Sequence, residues 1–165
     1  FPQLKTNNQI SILLLGAGGA ARGIFTGLKQ TGFRHIDIAN RSLDRARNIT
    51  AIDPSDSRVL TLKDAETNVR HYELIIQTTS VGMNPNANAQ IISLEGMKEG
   101  TIVSDIVYQP IETKLLKQAK SLGAQIHYGH TMLLYQAQYA FEIWTGIEVD
   151  VGSMDEQLLK LLEGR

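Results

Sequence analysis

The stretch Ile12-Leu13-Leu14-Leu15-Gly16-Ala17-Gly18-Gly19-Ala20-Ala21-Arg22-Gly23 decides the fold of this chain. An apolar run ends in a glycine-rich turn and a helical pattern follows, which is how a strand, a phosphate-binding turn and a helix read in sequence. Gly16 allows the tight turn. Gly18 carries no side chain, so a pyrophosphate can approach the backbone. Ala21, or Gly23 further on, lets the helix lie close to the strand. The helix start offers free N–H groups and a partial positive charge to anions. Gly16, Ala17, Gly18, Gly19, Ala20 and Ala21 are therefore candidate phosphate-side residues. A G-x-G-x-x-A pattern alone is a weak signal, so the rest of the chain has to agree with it.

Outward from this turn, strand-like and helix-like segments alternate. Strands are expected over 11–15, 34–39, 58–62, 73–78, 101–106 and 124–128. Helices are expected over 19–31, 42–52, 63–69, 112–122, 131–145 and 155–162. Gly32 and Gly123 close two of them. Ser42 is the expected N-cap of the second, and Asp53-Pro54 ends it. The polar segment 84–90 contains Pro85 and reads as a loop. This alternation predicts a single Rossmann-like α/β domain, a doubly wound and mainly parallel sheet with helices on both faces. Ligands then bind at the C-terminal ends of the strands. The expected layout is a lead-in over 1–10, the α/β domain over 11–150 and a C-terminal helix within 151–165, with Leu158, Leu159, Leu161 and Leu162 on its apolar side.

The 165 residues suffice for one domain with a sizeable core, and 42% apolar with 20% charged residues is ordinary globular composition. A net charge of −1 gives no footprint for nucleic acid or a membrane surface. The absence of cysteine fits a reducing compartment, and a cytoplasmic location is expected. No apolar run approaches the roughly 20 residues of a bilayer span. His35, His71 and His127 show no metal-ligand spacing, so no metal is expected. The chain opens at Phe1 rather than Met, which predicts a processed or trimmed product.

The end of the second strand chooses the ligand. An acidic residue there would hold a ribose 2′-hydroxyl. This chain instead has Asn40-Arg41-Ser42, then Asp44-Arg45, and its nearby acid, Asp37, sits inside the strand. Arg41 can pair with a 2′-phosphate and stack on adenine, Ser42 can donate a hydroxyl hydrogen bond, and Arg45 shares their helix face. With the glycine turn this predicts NADP(H) as cofactor.

Three further strand ends carry polar groups. Thr78, Thr79, Ser80 and Val81 follow the fourth strand and can bring backbone groups to a ribose or nicotinamide, or form a plain turn. Asp105 ends the fifth. It can serve as a base, although an Asp so placed more often accepts from nearby backbone N–H groups. Tyr108 then stands at the cleft mouth. Gly129-His130-Thr131-Met132 opens the long helix, where Met132 and Gln136 share a face. Gln136, if buried, needs a ligand or an intramolecular partner. With no acid positioned by spacing, His130 reads as a helix-start residue.

Together these segments resemble the C-terminal, NADP-binding domain of the shikimate dehydrogenase family over nearly the whole chain. The resemblance runs through Gly16 to Ala21, Asn40-Arg41-Ser42 with Arg45, Thr79 to Met83, Asp105 to Pro110, Glu112-Thr113, and Gly129 through Gly146. It implies reduction of 3-dehydroshikimate to shikimate by NADPH. Gly16 to Ala20 would cradle the pyrophosphate, and Asn40, Arg41, Ser42 and Arg45 would bind the adenosine phosphate. Ile106, Gly129 and Met132 would lie on the nicotinamide side, and Tyr108 and Gln136 would reach the substrate hydroxyls. Gln77-Thr78 stands where the family often has Asn-Ala, and Gln109 replaces a common Asn; both read as subfamily drift.

The family's catalytic Lys and Asp lie in an N-terminal substrate domain, and only ten residues precede Ser11. Lys5 has no paired acid. The expectation is a domain that binds NADP(H), contains no catalytic residue of its own, and meets shikimate only with the other domain present. Self-association through the final helix is expected too. A quinate/shikimate-type relative and a non-catalytic NADP-binding module remain open. Glutamyl-tRNA reductase is disfavoured by Tyr135-Gln136-Ala137, by residues 141–146 and by the lack of a basic RNA-facing surface.

Overall fold

The computed structural model describes residues 1–164. The side chains of Gln3 and Lys5 lie outside the description, and the expectation about Lys5 with them. The strands are β1 (Ile12–Leu15), β2 (Ile36–Ala39), β3 (Val59–Leu60), β4 (Leu74–Gln77), β5 (Ile102–Asp105) and β6 (Gln125–His127). The helices are α1 (Gly19–Gln30), α2 (Leu43–Thr50), α3 (Leu62–Thr67), α4 (Lys114–Ser121), α5 (His130–Thr145) and α6 (Met154–Leu162). All strand pairs are parallel, in the order β3-β2-β1-β4-β5-β6. Chain order reverses between β1 and β4, which is the switch point where such sheets bind ligands.

The unbroken apolar run of β1 follows from its central place, because both faces of the strand are covered. Ile12 and Leu14 pack with Ala21 and Phe25 of α1 and Ala46 and Ile49 of α2. Leu13 and Leu15 face the opposite way, onto Ala65 of α3 and Leu115, Leu116 and Ala119 of α4. Ala21 is fully buried. It is the helix-to-sheet packing residue, while a Cβ on Gly23 would meet nothing within 4 Å. Of the two residues proposed to let the helix approach the strand, Ala21 does so.

Several boundaries move inward, and threonine caps explain two of them. Thr61 accepts from Asp64 N at 3.0 Å and so starts α3, cutting β3 to two residues. Thr113 accepts from Leu116 N at 3.3 Å, so α4 begins at Lys114 rather than at Glu112. Ser42 occupies the N-cap of α2 but makes no side-chain capping bond. Asn40 Nδ2 instead donates to the Ser42 carbonyl at 2.8 Å.

The C-terminal helices differ most from the sequence reading. The largely apolar α5 packs chiefly on α6 rather than under the sheet. Ile143 and Trp144 are each 81% exposed, and Tyr135, Tyr139 and Phe141 are exposed beside them. On α6, Leu161 is 74% exposed, so it leaves the apolar side expected of it. Among the described residues, no helix is long and apolar enough to cross a membrane.

Candidate functional site

The turn after β1 is held by its neighbours. Gly16 has φ +116°, which favours glycine, and its N–H donates to Ala39 O at 2.8 Å. A Cβ there would lie 2.6 Å from both Thr78 Oγ1 and Thr79 Cγ2. The strand end of β4 therefore presses on the glycine turn. Thr78 N and Thr78 Oγ1 each donate to Leu15 O at 2.8 Å, which joins the two segments. Beyond them, space over Gly18 and Gly19 is open, and no side chain caps α1 at Gly18. Its first N–H groups are left for a ligand.

A cleft of about 430 Å³ opens here, lined by Ala17, Gly18, Asn40, Arg41, Arg45, Thr78, Thr79, Ser80 and Val81, with Leu62 and Ile91. A smaller hollow of about 240 Å³ around Gly18, Gly19, Arg22, Arg45 and Asn48 adjoins it. One cleft thus gathers the glycine turn, the β2 tip and the loop after β4. Leu62 and Ile91 were missed because nothing in their local pattern marks them: one opens α3 and the other lies in the loop between β4 and β5. Ala21 does not line the cleft, because it is consumed by the core. Ser42 is exposed outside it.

No acid reaches the tip of β2. Asp37 is buried inside the strand and accepts from Arg58 Nη2 at 2.7 Å and from Tyr72 Oη at 2.7 Å. The ion pair raises the Arg58 pKa. Burial first, and then Asp37, raise that of Tyr72.

Asp105 is 1% exposed. Its carboxyl accepts from Val107 N at 2.9 Å, Thr113 Oγ1 at 2.7 Å and Gln77 Nε2 at 3.3 Å. Burial pushes its pKa up to about 6 against the opposing pull of these bonds. The carboxylate is fully engaged in holding the loop after β5, so of its two readings the structural one fits the geometry.

On the far side of the switch point, a Cβ on Gly129 would lie 2.5 Å from the carbonyl oxygens of both Ile106 and Val107. Glycine is what allows α5 to begin there. Met132 and Tyr108 are half-buried, and neither lines the cleft. Gln136 is exposed on α5. The paired glutamine of this helix is Gln138, whose Nε2 donates to Glu142 Oε1 at 2.9 Å and Val149 O at 2.8 Å. His130 is buried, and an acid does face it. Asp155 Oδ1 of α6 lies 3.3 Å from His130 Nε2, without hydrogen-bond alignment, and His130 Nδ1 has no partner. Twenty-five residues of separation hid this pair from any spacing rule. Nearby, burial lowers the His127 pKa, and the His127 ring meets Ser104 Oγ at 2.9 Å.

A parallel sheet with a glycine turn at its switch point defines the class: a doubly wound α/β domain with a cleft suited to a dinucleotide. The model for shikimate / quinate 5-dehydrogenase matches residues 2–115, and that for the shikimate 5′-dehydrogenase C-terminal domain matches 129–159. The chain belongs to the shikimate / quinate 5-dehydrogenase family. It is 49% identical over 165 residues to a shikimate dehydrogenase (NADP(+)) from Oceanobacillus iheyensis, covering 100% of this chain and 59% of the relative. Among solved structures it is similar to a quinate dehydrogenase from Corynebacterium glutamicum in complex with NAD, at TM-score 0.82 and 28% identity over 95% of this chain and 57% of that one. It is similar also to the Thermus thermophilus shikimate 5-dehydrogenase in complex with NADP(H) and shikimate, at TM-score 0.80 and 29% identity over 94% of this chain and 56% of that one. The chain thus spans a little over half the length of the relatives it matches.

Proposed function

We propose that this chain is the cofactor-binding part of an NADP-dependent shikimate dehydrogenase. The observation that carries this reading is the cleft itself, which Arg41, just past β2, and Arg45, in the first turn of α2, both line, while Asp37 is locked inside the strand. The N-terminus of α1 and the open backbone over Gly18 suit a pyrophosphate. The guanidiniums suit a 2′-phosphate, to which Arg can bind through two parallel hydrogen bonds. Ile106, Gly129 and Met132 are the nicotinamide-side residues in this reading, with Tyr108 and Gln136 turned to substrate.

Bound NADPH supplies the hydride for reduction of a substrate ketone. This chain's groups hold and orient the dinucleotide. Asp105 is committed to Gln77, Val107 and Thr113; the family resemblance implies that proton transfer belongs to a Lys and an Asp of a substrate domain. The chain on its own binds NADP(H) without turning over shikimate. Hydride transfer needs donor and ketone held in contact, with an acid at the developing alkoxide.

Calorimetric titration with NADP⁺ and NAD⁺ tests this. NADP⁺ is expected to bind more tightly, and Arg41→Ala to lose about tenfold or more of that margin. Equal affinity for the two nucleotides, or no effect of Arg41→Ala, refutes the assignment. The likeness to a quinate dehydrogenase supports a second reading in which quinate is the substrate. Assay of the two acids on protein that includes a substrate domain separates them.

A further inference from the structure

Gln77, the last residue of β4, is 1% exposed, and both ends of its amide are engaged. Its Nε2 is shared among Val81 O at 3.0 Å, Thr79 O at 3.2 Å and Asp105 Oδ1 at 3.3 Å. Its Oε1 accepts from the Thr79 N–H and from Thr79 Oγ1. Thr79 Oγ1 in turn accepts from Val81 N at 3.1 Å. Residues 79–81 are wrapped around a single side-chain amide. These residues line the cleft, and Thr79 Cγ2 is one of the atoms a Cβ on Gly16 would strike. Asp105 carries the connection onward. Its other bonds fix Val107 N and Thr113 Oγ1, and the Ile106 and Val107 carbonyls are what Gly129 rests against.

We propose that Gln77 is a positioning residue for the nucleotide cleft. It sets the 79–81 loop against the glycine turn in the shape that receives the cofactor, and through Asp105 it ties that loop to the segment seating α5. The inference rests on the nucleotide reading above. A Gln at this position is more than drift from Asn: one methylene fewer shortens the reach that lets one amide meet Thr79, Val81 and Asp105 together.

A buried Gln that only stabilised the fold would loosen the whole sheet when replaced, whereas a positioning residue loosens its loop and weakens the ligand. Hydrogen exchange on the free chain, with NADP⁺ calorimetry alongside, separates these. Gln77→Met keeps the volume and leaves Thr79 N–H, Thr79 O and Val81 O without partners. The Thr79, Val81 and Val107 amides are expected to exchange about tenfold faster or more, while those of Leu13, Leu14 and Leu15 keep their protection. NADP⁺ affinity is expected to fall about tenfold. Gln77→Asn keeps both ends of the amide on a stem one methylene shorter; it is expected to fall between wild type and Gln77→Met and keeps the test alive if the Met variant does not fold. Unchanged exchange in the loop, or protection lost evenly across β1, β4 and β5, overturns the proposal. A loosened loop with unchanged affinity also overturns it. If wild type does not bind NADP⁺ at all, the nucleotide reading fails, and the exchange pattern still decides whether Gln77 sets the loop.

Discussion

Gly129→Ala places two effects of opposite sign in one methyl group. The backbone at Gly129 has φ −70° and ψ −21°, which alanine adopts without strain. On that ground alone alanine would stabilise, by about 0.4–1 kcal/mol, through the lower entropy of the unfolded chain. The packing argues the other way. The new Cβ would lie 2.5 Å from two backbone carbonyl oxygens, those of Ile106 and Val107. An ordinary C···O contact begins near about 3.3 Å, so the segments must part by roughly 0.8 Å. Neither oxygen sits on a side chain that can rotate away, which puts the cost in the upper part of the roughly 1–3 kcal/mol typical of overpacking. The net expectation is destabilisation of about 1–2.5 kcal/mol, or a fall in Tm of about 2–10 °C for a chain of this size. Calorimetric unfolding measures it, with Gly27→Ala as the control. A Cβ at Gly27, inside α1, meets nothing within 4 Å, so that variant is expected to melt higher than wild type. If Gly129→Ala also melts at or above wild type, the close approach of α5 to the β5 loop is wrong.

Other consequences are as direct. The Asp105 pKa, about 6 in the fold, lies above its ordinary 3.8, so between these values the folded chain holds more protons than the unfolded one. Stability from this group therefore falls as pH rises from 4 to 6 and is level above that, by on the order of 2–3 kcal/mol. The difference between wild type and Asp105→Asn across that window isolates it, and a flat difference contradicts it. Arg58→Ala leaves buried Asp37 with Tyr72 Oη and the residue-58 N–H alone, and is expected to cost about 1–2 kcal/mol in denaturant unfolding because Arg58 itself is solvent-exposed. The bared side of α5 is expected to drive self-association, seen as concentration-dependent sedimentation that Trp144→Glu abolishes; a clean monomer at high concentration counts against it.

The sheet and the glycine turn were legible because their signals are local. An apolar run covered on both sides, a positive-φ glycine and an arginine just beyond a strand each follow from a few adjacent residues. Cap positions were legible in principle: Thr61 with Asp64, and Thr113 before Leu116, are ordinary starts that a reading of apolar periodicity passed over. What stayed hidden depends on residues brought together by the fold. Asp155 meets His130 only because α6 folds back on α5. Gln77 looked interchangeable with Asn because its partners sit in the loop after its own strand and at the end of another strand, β5. The exposure of α5 could not be read from its composition, since apolar residues in a helix read the same in sequence whether they are buried or exposed.

The mounting of α5 has a mechanical consequence. The helix has 16 residues, about 24 Å at about 1.5 Å per residue, and it meets the sheet's loops at its first turn. Such a rod is a lever with its pivot at Gly129. A tilt of about ten degrees there sweeps the far end through roughly 4 Å, given that length. Small shifts of the Ile106 and Val107 carbonyls are thus magnified at Ile143 and Trp144, the most exposed apolar side chains of the helix.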